Sequence, residues 1–167
     1  MTKQEIYEYR QQRIMPQEDT DYNKTQRIFT SILDGYDCTF TQTGLFDPSD
    51  MRFNYTTTNG ATRKFNVEIK TKNQDMTKFD DLPLKVSKYC DFKDDTQPDE
   101  KMLFVVLVND DQYFIYDLDN LNWNTVTCRN WWINDYEYNP DGEKKKVKTP
   151  TFFIPIDQAC THGIIPS

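Results

Sequence analysis

"DMRFNYTTTNGATRKFNVEIKTK", residues 50–72, contains two alternating segments on either side of a glycine-bearing turn. In the second segment Phe65, Val67 and Ile69 point one way, and Asn66, Glu68 and Lys70 the other. In the first, Met51, Phe53 and Tyr55 share a face, opposed by Asp50, Arg52 and Asn54. "TTTNGAT" between them is a hairpin signal. Its loop length decides which faces coincide. A two-residue Asn59-Gly60 turn pairs Thr58 with Ala61 and sets Asp50 against Ile69, so polar faces meet apolar ones. A three-residue loop, Thr58 to Gly60, pairs Thr57 with Ala61, Met51 with Val67 and Phe53 with Phe65. Gly60 then takes the left-handed position that such loops favour. Asp50 falls opposite Glu68, with the Cβ atoms about 4.5–5.5 Å apart. Bare carboxylates that close repel one another, and a divalent cation between them relieves the repulsion. Magnesium prefers hard oxygen ligands and is often held by one or two carboxylates plus waters and phosphate.

The flanking sequence predicts a mixed α/β domain. "TKQEIYEYRQQR" is compatible with a helix ended by Pro16, and an apolar stripe of Tyr22, Ile28, Phe29, Ile32 and Leu33 predicts a helix over 21–34. "DTD" at 19–21 offers N-caps and Gly35 a stop. "YDCTF" reads as the strand before the hairpin. "DDLPLKVSKYCDF" reads as a helix with Asp80 or Asp81 as cap, Pro83 in its first turn, and Leu82, Val86, Tyr89 and Cys90 inward. "KMLFVVLV" is apolar throughout, as a strand covered on both faces should be, and "QYFIYDL" alternates. "NWNTVTCRNWWINDYEY" reads as irregular. A turn at "NPDG", a solvated basic run "KKKVK" and a strand "TFFIPI" follow, and Pro155 places that strand at a sheet edge.

Composition narrows the chemistry. The chain has 167 residues, the span of one domain, with 14% aromatics, a single histidine and a formal net charge of −7. His162 alone excludes reactions that need several histidines, and reads as a tail residue. Cys38, Cys90, Cys128 and Cys160 are scattered without a Cys-x-x-Cys pair, which fits reduced thiols in a cytoplasmic protein. No apolar run reaches bilayer length, so no membrane partner is expected, and no secretory signal is visible. The acidic balance counts against binding nucleic acid through general positive charge, while allowing a local basic groove. Lys72, Lys85 and Lys88 are candidates for contacting a phosphate backbone, and Trp123, Trp131 and Trp132 for stacking on bases.

"SDMRFNY…FNVEIKTK" resembles the core of the PD-(D/E)xK, or restriction-endonuclease-like, nuclease superfamily, over about residues 20–108. The Glu143-Lys144-Lys145 copy of the spacing lies in a polar turn and carries no weight. The resemblance implies an α/β fold: a mixed central sheet flanked by helices, with an αβββαβ core and a C-terminal β-rich elaboration over 109–167. It implies a metal-dependent deoxyribonuclease using Mg²⁺, or Mn²⁺ in its place, with Asp50, Glu68 and the Ile69 carbonyl as ligands. Lys70 would position the attacking water. It further implies DNA as partner, a 5′-phosphate product and, often for small chains of this type, a homodimer. The Pro-Asp dipeptide is absent here, since the order is Asp47-Pro48-Ser49-Asp50, so Asp47 competes for the first ligand. Glu8 and Glu18 are candidates for the extra glutamate that family members often carry. The low pI supports an alternative, a catalytically inactive nuclease-like protein that binds or inhibits a partner; a purely structural hairpin is a third reading.

Overall fold

The computed structural model describes residues 8, 12, 15–44, 47–72, 79–108, 111–135 and 145–167. Helix α1 spans Met15–Ile32 and is followed by strands β1 (Asp37–Gln42), β2 (Met51–Thr56) and β3 (Thr62–Lys72). Strand β4 (Asp81–Lys85) runs directly into helix α2 (Val86–Asp95). Strands β5 (Glu100–Val108), β6 (Gln112–Asp117), β7 (Thr127–Asp135), β8 (Lys145–Pro155) and β9 (Thr161–Ile164) complete the chain. Six strands form a mixed sheet in the order β1-β2-β3-β5-β6-β9, in which only β3 and β5 pair in parallel. A second, antiparallel sheet has the order β4-β8-β7. Among the described residues no helix is long and apolar enough to cross a membrane.

The hairpin has the three-residue loop. Thr57 N–H bonds to the Ala61 carbonyl at 2.9 Å, Gly60 has φ +81°, and Met51 pairs with Val67 and Phe53 with Phe65. This register sends Met51, Phe53, Val67 and Ile69 to one face, where Ile28 and Phe29 of α1 meet them. Alternate residues of β5 join both layers. Leu103, Val105 and Leu107 pack on the α1 side; Met102, Phe104, Val106 and Val108 pack with Leu82, Leu84, Phe92 and Ile154 on the other. β5 is therefore buried on both faces, as its unbroken apolar run requires.

Four expectations need correction. α1 begins at Met15, so Pro16 lies in its first turn, where the missing N–H costs nothing, and "DTD" lies inside the helix rather than capping it. The expected helix over 2–13 falls mostly outside the described residues, though Glu8 and Gln12 are helical. Residues 81–85 are a strand: Leu82 and Leu84 alternate inward opposite Ile154 and Phe152, Pro83 is tolerated because β4 is an edge, and Cys90 is exposed. β8 is the central strand of its sheet and Pro155 merely ends it. The region read as irregular contains β7, and Lys145 to Lys148 begin β8.

Phe53 anchors the first layer, with ring centroids 4.3 Å from Phe29, 5.7 Å from Phe40 and 4.6 Å from Phe65. Phe53→Ala should lower stability by about 3–5 kcal/mol in urea unfolding, the cost of truncating a buried aromatic. A loss under about 1 kcal/mol would mean that this layer does not hold the sheet.

Candidate functional site

Backbone pairing between β2 and β3 stops at Met51 and Val67. One further bond, from Asp50 N–H to the Val67 carbonyl, measures 3.0 Å. Beyond it the chain of β2 turns away, and the next donor on β3, Ile69 N–H, bonds instead to Asp50 Oδ2 at 2.6 Å. The carboxylate thus replaces the missing backbone acceptor and is held against β3. A strand residue's N–H and C=O point to the same edge, so the Ile69 carbonyl also faces this gap.

The regular β2–β3 register ends at Met51 and Val67 and Asp50 also bonds to Val67, so Asp50 is not paired directly across from Glu68 as expected. Glu68, the next residue of β3, is only 6% exposed and feels the Asp50 charge. It pairs across the sheet with Phe104, a member of the apolar layer under α2. Burial pushes its carboxyl well above the usual carboxylate range, the negative Asp50 adds to the rise, and Lys88 opposes it. Lys88 Nζ stands 3.0 Å from Glu68 Oε2. At that distance the ammonium is in ion-pair contact with the buried oxygen. For Lys88, burial works against the charge, but Glu68 and Asp50 outweigh it and hold the ammonium above its ordinary range.

Lys88 was expected to contact a phosphate backbone; in the structure it meets Glu68 instead, because the helix starts later than expected. In α2 it precedes the buried Phe92 by one turn, on the same face, and so points at the sheet. The parallel pairing of β3 with β5 is the signal for this, since it requires a crossover that brings α2 over one face of β3.

Lys70 is exposed and follows Glu68 on the same face of β3. Lys72 is half-buried, with the charge of Lys70 acting on it. Lys85 is the exposed last residue of β4, not a helix residue. Asp47 accepts the Gly44 N–H at 2.6 Å within its own loop, so Asp50 is the acid that meets Glu68. Glu18 lies in α1, whose buried residues pack on the opposite face of the sheet. Trp123 is half-buried, 5.1 Å from Tyr89 and 5.3 Å from Phe152. Trp131 and Trp132 are exposed on β7, and Lys148 approaches the Trp132 ring at 5.1 Å. His162 lies on the edge strand β9.

A second polar cluster braces the same face. Asp95 Oδ2, at the end of α2, accepts from Arg52 at 2.8 Å, Ser49 at 3.1 Å and Asn66 at 3.3 Å. Arg52 Nε also reaches Glu100 at 3.2 Å. These contacts tie the segment before Asp50 to α2 and β3. Next to them lies a cleft of about 400 Å³ lined by Gln42, Asp47, Arg52, Asn54 and Lys64.

Among the described residues no group of three or more His, Cys, Asp or Glu side chains is placed to hold a metal. Two carboxylates and a backbone carbonyl remain, a set suited to an ion that keeps most of its waters. The buried Glu68 Oε2, now held by the Lys88 ammonium, is an oxygen such an ion would use. Lys88 is its competitor.

Lys72 offers a test of the local electrostatics. Burial, and then the charge of Lys70, lower its pKa to about 8. Against an unfolded value of about 10.4, the folded protein carries a cost below pH 8 that fades as pH rises toward about 10.4. Lys72→Met should therefore raise the melting temperature at pH 7, with the gain shrinking between pH 8 and about 10.4. A gain that does not change with pH would refute this.

No family model matches this chain. No curated protein and no solved structure matches it either.

Proposed function

We propose that this protein is a metal-dependent nuclease that hydrolyses phosphodiester bonds in DNA. The observation that carries the reading is a buried Glu68 on which the Asp50 charge acts, with Asp50 pinned to the next residue of β3. A buried carboxyl beside a half-buried carboxylate is costly in its charged form unless positive charge or a proton offsets it. The order α1, β1 to β3, α2, β5, with β3 parallel to β5, supports a restriction-endonuclease-like core into which β4 is inserted.

In this reading Asp50, Glu68 and the Ile69 carbonyl would hold Mg²⁺. The ion supplies Lewis-acid chemistry, polarising the scissile phosphate and acidifying a water. The bond from Ile69 N–H would keep the Asp50 carboxylate oriented for that role. Exposed Lys70, one alternation along β3, orients the attacking water and offsets charge that develops on phosphorus-bound oxygens. Lys72 adds positive charge for the DNA backbone.

A second reading, an acidic binding or inhibitor protein, is favoured by one observation. Lys88 already offsets the charge of Glu68, so the pair survives without a metal.

Plasmid, linear, branched and single-stranded DNA should be cut in Mg²⁺ or Mn²⁺ and left intact in chelator. Lys70→Ala should reduce the rate by about 100-fold or more while melting at the parent temperature, since the residue is exposed. Full activity in that variant would remove Lys70 from the mechanism, and no cleavage of any substrate would favour the binder. Independently, a cation at about a hundred times its Kd stabilises the native state by about 2.7 kcal/mol. Glu68→Ala should abolish that metal-dependent rise in melting temperature. An equal rise in parent and variant would place the metal elsewhere.

A further inference from the structure

We infer that Lys88 is a resident counter-ion which a divalent cation must displace from Glu68, so that metal entry releases the ammonium toward solvent. The inference rests on the metal-site reading above. Three features of the chain support it.

The first is competition for a single atom. Lys88 Nζ lies 3.0 Å from Glu68 Oε2, the buried oxygen that a metal at this site would need. An ammonium and a metal ion cannot both occupy the space in front of it, because two cations at contact distance repel as strongly as the carboxylates do.

The second is the placement of Lys88 near the start of α2. The first turn carries no acid, and the cap residue Lys85 makes no side-chain capping bond. Positive charge at a helix N-terminus is opposed by the helix dipole. Lys88 is in an unfavourable position for its own helix, and the carboxylates of β3 and β2 compensate.

The third is that the head group has somewhere to go. Phe92, one turn later, is 1% exposed and fixes this face of α2, so the helix need not move. The Lys88 side chain is 33% exposed, and its flexible stem can swing the ammonium outward. Asp91, exposed on the same helix, already acts on the Lys88 charge and offers an outer partner. Lys88 therefore has two positions: on Glu68 without metal, and beside Asp91 or in water with metal bound. Binding of the two cations is negatively coupled, and the coupling is reciprocal.

Two measurements on the full chain test this. In pulse acetylation read by mass spectrometry, Lys88 should react slowly without metal and several-fold faster in saturating Mn²⁺, while Lys85 stays unchanged. Titration calorimetry with Mn²⁺ should show Lys88→Met binding roughly tenfold tighter than the parent. The variant should also melt lower than the parent without metal and gain more on metal addition. Unchanged Lys88 reactivity in a parent shown by calorimetry to bind Mn²⁺ would overturn the displacement while leaving the metal site intact. So would equal or weaker metal binding by Lys88→Met. If neither protein binds Mn²⁺, the metal site and this inference fall together. If only the variant binds, Lys88 is the counter-ion and the parent is not a metal-dependent enzyme. The labelling arm uses the parent chain and so stands even if the variant fails to fold.

Discussion

The pairing of Met51 with Val67 and of Phe53 with Phe65 sets the side of the sheet on which every residue of β2 and β3 lies. A slip of one residue would carry Phe53 and Val67 away from α1 and expose a layer that now contains Ile28, Phe29 and a stack of rings. The same pairing brings Asp50 to Glu68, which is unfavourable in itself. Burial of the apolar face and proximity of the acids are two results of one register. The hydrophobic gain on the α1 side offsets electrostatic strain on the α2 side.

That strain is managed by charge balance rather than solvation. Glu68 is buried, so water cannot screen it, and Lys88 is drawn in from α2. A few residues along, Asp95 plays the reverse part, gathering Arg52, Ser49 and Asn66. The two clusters give α2 polar attachments to the sheet in addition to Phe92. Such contacts contribute little net stability once desolvation is counted, but removing one partner leaves a buried charge uncompensated. They therefore fix where α2 sits more than they raise stability.

The parts of this fold legible in the sequence are those with local causes. Gly60 and the alternation on either side of it specify the hairpin, its loop length and its register within 23 consecutive residues. The run 101–108 announces a doubly covered strand by composition alone. Pro83 and Pro155 were misread because the meaning of a proline in a strand depends on which neighbours the strand acquires, and neither pairing is local. Asp50 and Glu68 were legible as a pair for the same reason as the hairpin. Lys88 was legible as a candidate but its contact with Glu68 was not, since its direction depends on where α2 begins and on a crossover between β3 and β5. Lys70 was placed beside Glu68 by alternation, yet the ammonium that touches Glu68 comes from a different element.

Asp50 has two tasks carried by one side chain. Its Oδ2 terminates the β-ladder at Ile69, and its charge acts on Glu68. Asparagine has the same length and keeps an acceptor oxygen, so it retains the first task and drops the second. Alanine loses both and strands a backbone donor, while glutamate is one methylene too long for the bond that β2 needs. Position 50 is thus narrowly tolerant for architectural reasons alone. Its identity would stay confined to the short acceptor-bearing residues even in a descendant that had abandoned every use for the negative charge.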